Sequence, residues 1–450
     1  MRINHLNRSR RWSIAVLTLI AVLCVVAYFV FFNDPEGAQS GLPIEQNRVS
    51  PIENGVGAAQ EKISALEKSS ASTATTLALD EKYCQDPDHN SREPDTRLTE
   101  DSLPLSFSKN DTAGIQQFLA NATGLSNDQK NAIALFLRAT LLSEVAQRDY
   151  DSAHKECTGD LNSCAQKSYE ARKQGGFADA NELAKFAIYS SDAKLYALAF
   201  HACGWDASSS NGYCRQISAE QWAFRDPENA AAWLYVITRA TTGPSKSQNE
   251  KSIESAYFQL SQSKRFDLGL SQLSSAISSA QERAGIDNVA VKVAYLNVSA
   301  ATSLALPSYS QILDFCAPSA VKDANRRQIC DGVANRLLGP DTTLIDTGIG
   351  LKIARNLAWE VEKIRPFQDE RDASFQLQIE LQNKYQAALN VDATTRASCL
   401  AMIRMLKTYL SLNQFGEKQA SLQEIKRQNF NAKELAERYR AATTAQAPKK

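Results

Sequence analysis

Cys214 to Gly243 reads CRQISAEQWAFRDPENAAAWLYVITRATTG, and its punctuation decides how the whole chain is read. Cys214, Ile217 and Trp222 lie along one side of a first helix. Asp226-Pro227 then marks a corner, because an aspartate caps the following helix and a proline sits in its first turn without losing a hydrogen bond. In the second helix Trp233, Val236, Ile237 and Ala240 recur at spacings of three and four, one apolar stripe, and Gly243-Pro244 ends it. Two helices meeting at a capped corner form a hairpin. A row of such hairpins buries each stripe against the next, so the expected fold is all-α.

Composition agrees. Nineteen Gly and thirteen Pro are few for 450 residues, and 43% apolar content suffices for a sizeable core. Lys plus Arg equals Asp plus Glu at 50 each, which gives no charge signal for nucleic acid.

The two ends of the chain are built differently. Arg2, Arg8, Arg10 and Arg11 form a basic tail over residues 1–11, followed by Trp12 to Phe32, an uncharged run of 21 residues. At about 1.5 Å per residue that run crosses a hydrocarbon core of about 30 Å. The basic flank predicts a cytoplasmic N-terminus and places the remainder across the membrane, in the bacterial periplasm. A cleaved signal peptide is the competing reading. The run is longer than such a segment, and Glu36-Gly37-Ala38 is a poor cleavage site. A lipid anchor on Cys24 is disfavoured by the bulky Leu23 before it. Residues 33–110 are polar, with SSASTATT at Ser69 to Thr76, and read as a largely disordered periplasmic linker. Within it Asp86, Asp88 and Asn90 open like a calcium loop, but Ser91 and Arg97 stand where glycine and glutamate are required. The helical domain is expected over 111–442, and 443–450 as a disordered tail.

Beyond Cys24, eight cysteines remain: Cys84, Cys157, Cys164, Cys203, Cys214, Cys316, Cys330 and Cys399. The pairs Cys157 with Cys164, Cys203 with Cys214 and Cys316 with Cys330 each flank a predicted turn, as expected of disulfides stapling hairpins in an oxidising compartment. Cys84 and Cys399 are left for each other. There is no C-x-x-C, and His5, His89, His154 and His201 are scattered, so neither a metal site nor a cofactor is expected.

Local signals place further helices. Ser126 to Gln129 is a capping box before Ile133, Leu137, Leu141 and Val145. Asp192 caps a helix carrying Leu195, Tyr196, Ala199 and Cys203 inward. Phe375, Ile379 and Tyr385 are expected on one inward face, and Cys399, Ile403, Leu406 and Leu410 on another.

The step of six from Pro227 to Trp233 resembles the junction between tetratricopeptide repeats, where a proline closes one repeat and a tryptophan opens the next. Val236, Ile237 and Ala240 depart from that family's Leu, Gly and Tyr. Cysteine pairs within hairpins are similar to Sel1-like proteins, although their glycine-rich consensus is missing. The resemblance implies an architecture, a TPR/Sel1-like solenoid behind one transmembrane helix, and no binding residues.

One string points to chemistry. Leu344-Ile345-Asp346-Thr347-Gly348 resembles the catalytic loop of aspartic proteases, which implies an envelope peptidase working through Asp346. Against it, Ile345, Ile349, Ile353 and Leu357 recur every four residues, a helical pattern. Gly348 and Gly350 lack the third glycine of a dinucleotide loop. Trp205, Trp222, Trp233 and Trp359 suit either a peptide groove or the core, and Trp222 and Trp233 are expected in the core. The preferred expectation is a non-enzymatic, membrane-anchored periplasmic scaffold for a protein or peptide partner.

Overall fold

A computed structural model describes residues 84, 109, 111–154, 161–204, 212–242, 250–303, 307–391 and 396–446. The basic tail, the run Trp12 to Phe32, the calcium-loop-like segment, Cys157, Trp205 and residues 447–450 lie outside them. The chain divides into two units, Met1–Ser106 and Phe107–Lys450, and all helices below belong to the second.

The described residues are all-α. In order come α1 (Asp111–Ala120), α2 (Asn127–Ala153), α3 (Leu161–Gly175), α4 (Phe177–Tyr189), α5 (Ala193–Cys203), α6 (Ala219–Arg225), α7 (Ala230–Thr242), α8 (Glu250–Gln262) and α9 (Leu270–Ala284). Then follow α10 (Asn288–Ser303), α11 (Tyr309–Phe315), α12 (Ala324–Leu337), α13 (Leu344–Asn356), α14 (Val361–Val391), α15 (Arg396–Phe415), α16 (Glu417–Arg427) and α17 (Ala432–Gln446). The last helix therefore continues four residues past the expected boundary at 442.

Where capping is local, the sequence reading holds. Ser126 accepts from the Gln129 backbone while Gln129 reaches back to Ser126, and Ile133, Leu137, Leu141 and Val145 are all buried on α2. Asp192 caps α5 through Lys194 N at 2.9 Å, with Leu195, Tyr196, Ala199 and Cys203 inward.

The quoted stretch needs three corrections. First, Cys214 lies in a 3-10 turn, Gly212–Gln216, and α6 begins only after its cap Ser218. Second, the cap of α7 is Asn229, whose Oδ1 accepts from Ala231 N at 3.1 Å; Asp226 instead pairs with Arg265 and accepts from Asn229 Nδ2. Third, α7 is rotated from the expected stripe. Its buried side carries Ala230, Ala231, Leu234, Tyr235, Ile237 and Thr238, while Trp233, Val236 and Ala240 are half-buried. Trp233 lies back over the corner and donates from Nε1 to the Pro227 carbonyl at 2.9 Å. On α14, Ile379 is exposed and Ala373, Leu377 and Leu381 face inward instead.

Consecutive helices stack in pairs, such as α2 with α3, α4 with α5, α6 with α7 and α12 with α13. Gly175 and Gly176 let the α3–α4 turn lie flat on α2, since a Cβ on Gly176 would stand 2.3 Å from the Ala139 carbonyl oxygen. Distant helices also meet. α1 packs on α9 and α10, α2 on α10, and α15 on both α9 and α10. Lys292 pairs with Asp111 at 2.8 Å, Ser299 donates to Glu144 at 2.7 Å, and Asn413 donates to Asn297 at 2.8 Å. A solenoid in which each repeat touches only its neighbours has no such braces.

Candidate functional site

Asp346 lies in the first turn of α13, fully buried, as the third residue of a capping box. Its Oδ2 accepts from Thr343 Oγ1 at 2.5 Å and from Thr343 N at 3.1 Å, and its Oδ1 accepts from Tyr309 Oη at 2.5 Å. Glu417 from α16 closes the same helix start, accepting from Leu344 N at 2.8 Å and from Gln378 at 2.9 Å. Both carboxylates thus sit at the positive end of a helix dipole. Burial raises the Asp346 pKa to about 6, outweighing the donors from Thr343 and Tyr309 that lower it. Burial likewise holds the Tyr309 hydroxyl well above its ordinary range. Each oxygen of Asp346 already has a protein donor, so the group joins α11 to α13. Gly350, one turn on, lets α13 approach α12: a Cβ there would meet Leu338 Cγ at 3.0 Å and Leu337 Cβ at 3.1 Å.

The cysteines form a second set. Cys203 and Cys214 are disulfide-bonded with Cα atoms 5.3 Å apart, and Cys316 and Cys330 with theirs 5.7 Å apart. All four sulfurs belong to buried residues. Cys84, Cys164 and Cys399 are disulfide-bonded as well. Beside the first bridge, Phe200, His201, Trp222 and Tyr235 pack ring on ring at centroid separations of 5.1 to 5.7 Å. Burial lowers the His201 pKa to about 4, so the ring is neutral at neutral pH, and its Nε2 donates to the Leu268 carbonyl at 2.7 Å. Trp222 is therefore a core group, with His201 half-buried at its edge. Trp359 donates to Asp331 at 2.9 Å and carries the Lys363 ammonium over its ring at 3.3 Å.

The third set faces solvent, and sequence reasoning missed it. Tyr189 at the end of α4 is 80% exposed and Phe224 at the end of α6 is 86% exposed. Arg225, next to Phe224, donates to the carbonyls of Ser190 at 2.5 Å and Ile188 at 2.9 Å, which flank Tyr189. Its guanidinium also lies 4.8 Å from the Tyr196 ring centre. The two exposed rings therefore project from helix ends clamped together. A signal was present for Phe224, which falls off the side of its helix that carries Ile217 and Trp222.

A cavity between α9, α10 and α15, lined by Gln281, Val291, Ala294, Ile403, Leu406 and Lys407, holds about 10 Å³, room for one water. Among the described residues no three His, Cys, Asp or Glu side chains converge as a metal site, and no helix is long and apolar enough to cross a membrane. Comparison with protein-family models, with curated proteins and with solved structures found no match, so the chain's own geometry carries its functional reading.

Proposed function

We propose that this chain is a single-pass scaffold of the bacterial cell envelope, anchored by Trp12 to Phe32 with its N-terminus in the cytoplasm. Its periplasmic hairpin array, TPR/Sel1-like in rhythm and cross-braced, binds a protein or peptide partner without catalysing a reaction.

The clamped aromatic pair Tyr189 and Phe224 carries the proposal. Exposed aromatic rings are among the side chains that dominate protein interfaces, since they bury large area at small entropic cost, and here the two helix ends that carry them are tied together through Arg225. The engagement of both Asp346 oxygens supports a scaffold over a peptidase. Compartment has two supports. Buried disulfides fit an oxidising space. In addition, Asn297-Val298-Ser299 is an N-glycosylation sequon whose asparagine is fully buried and bonded to Ser274 and Asn413, so a glycan there is incompatible with the core. An oxidising compartment that does not modify such sequons, as in the bacterial periplasm, accommodates both.

The test is site-directed photo-crosslinking in intact cells. A crosslinker at position 189 or 224 should capture one discrete partner, and one at the exposed Gln174 should not. Equal capture at all three positions, or capture unchanged when the second aromatic is replaced by serine, would remove the aromatic pair as the docking site.

A further inference from the structure

Tyr189 and Phe224 stand among positive charges that pair with no carboxylate of the described residues. Lys185 precedes Tyr189 by one turn on α4, about 6 Å along the axis, and both are exposed. Its ammonium lies 5.9 Å from the Tyr213 ring centre and meets no acid. Lys194, exposed in the first turn of α5, meets none either. Arg225 is held by the Ser190 and Ile188 carbonyls, which fix its place and leave its charge uncompensated. The acids of the same region are already engaged. Glu220 pairs with Arg239 at 3.4 Å, Asp226 with Arg265 and Glu228 with Lys264. Asp192 accepts from Gln129 Nε2 at 2.8 Å and from Lys194 N at 2.9 Å. Glu182 is exposed but lies two turns from Tyr189, about 10 Å, roughly the screening length of physiological salt. At both corners the carbonyl end of one helix adjoins the start of the next, so the helix dipoles offset each other and side chains set the sign of the field.

We propose that the segment docking on the Tyr189 and Phe224 edge is an acidic peptide of the partner protein, with Asp or Glu side chains flanking the apolar residue that covers the rings. The inference deepens the scaffold reading and rests on it. Ring contact supplies the affinity, while Lys185, Lys194 and Arg225 speed encounter, set the register and exclude basic segments. Because these cations have no carboxylate in the free chain, an arriving acid breaks no existing ion pair.

The test is photo-crosslinking from position 189 of the full chain, in membranes isolated from its host, with the captured peptide sequenced by mass spectrometry. The captured segment should carry a net negative charge. Capture should fall about tenfold when Lys185→Glu and Lys194→Glu are combined, survive the pair Lys185→Arg and Lys194→Arg, and decline as salt rises from about 50 to about 500 mM. Both lysines are exposed, so the urea midpoint of each variant should match that of the parent. A neutral or basic captured segment, capture indifferent to charge reversal, or capture unchanged or strengthened by salt would overturn the acidic partner and leave the aromatic docking site standing. No discrete capture by the chain with both lysines intact would instead remove the scaffold reading itself.

Discussion

Replacing Asp346 by Asn should change how the stability of this protein depends on pH. The carboxyl is fully buried, and burial moves its pKa from 3.8 to about 6. The native chain then holds the proton more tightly than the unfolded chain, so the contribution of this group is fully present below about pH 4 and is lost as pH rises through 6. At 1.36 kcal/mol per unit, the loss is about 3 kcal/mol. Asparagine removes the titration and keeps an acceptor for Tyr309, but its amide cannot accept from Thr343 N, at a cost of about 1–2 kcal/mol. The variant is therefore expected to be less stable than the parent at pH 4 by about 1–2 kcal/mol and more stable at pH 7 by about 1–2 kcal/mol. Urea unfolding of both chains from pH 4 to 7, with unchanged m-values, reads the difference directly and cancels Asp179 and Asp372, which are also raised by burial. Parallel pH curves for parent and variant would refute the assignment of Asp346 as a carboxyl whose burial outweighs its hydrogen-bond donors and raises its pKa.

Three further substitutions test the packing. Ala358 closes α13 in a left-handed conformation, φ 56°, with Trp359 N bonded to the Ala354 carbonyl; Ala358→Gly should stabilise by about 0.5–1 kcal/mol in urea titrations, because the site is exposed and no packing is lost. Gly176→Ala should destabilise by about 1–3 kcal/mol, since the added methyl meets the Ala139 carbonyl and cannot be relieved by a side-chain rotation. Trp222→Ala should cost about 3–5 kcal/mol by opening a void in the ring cluster with Phe200, His201 and Tyr235, read as a lowered unfolding midpoint.

What could be read in advance followed the range of the interactions. The start of α2 was readable because Ser126 and Gln129 satisfy each other within one turn, and the spacing of Ile133, Leu137, Leu141 and Val145 carries its own helical period. The corner at Asp226 was misread because its carboxylate is engaged by Arg265, a residue 39 positions away that no local pattern announces. Trp233 misled through size. A large apolar ring was expected inward, but the close approach around α7 is made by alanines, with Thr238 tolerated in the core because it bonds the Leu234 carbonyl and accepts from Ser308 N. Asp346 was recognised as a helix start from its isoleucine spacing, while its partners Tyr309 and Glu417 come from other helices. The braces from α1, α2 and α15 to α9 and α10 left no trace in periodicity, which records the face a helix buries and not the helix that covers it.

The account rests on helical hairpins covalently stapled across their turns. Its most direct test is a non-reducing peptide map of the full chain, with free thiols alkylated at the moment of lysis in the native host. Peptides linking Cys203 to Cys214 and Cys316 to Cys330 should be recovered, with no alkylation at any of the four. Alkylated thiols at those positions, or links that join one pair to the other, would contradict it.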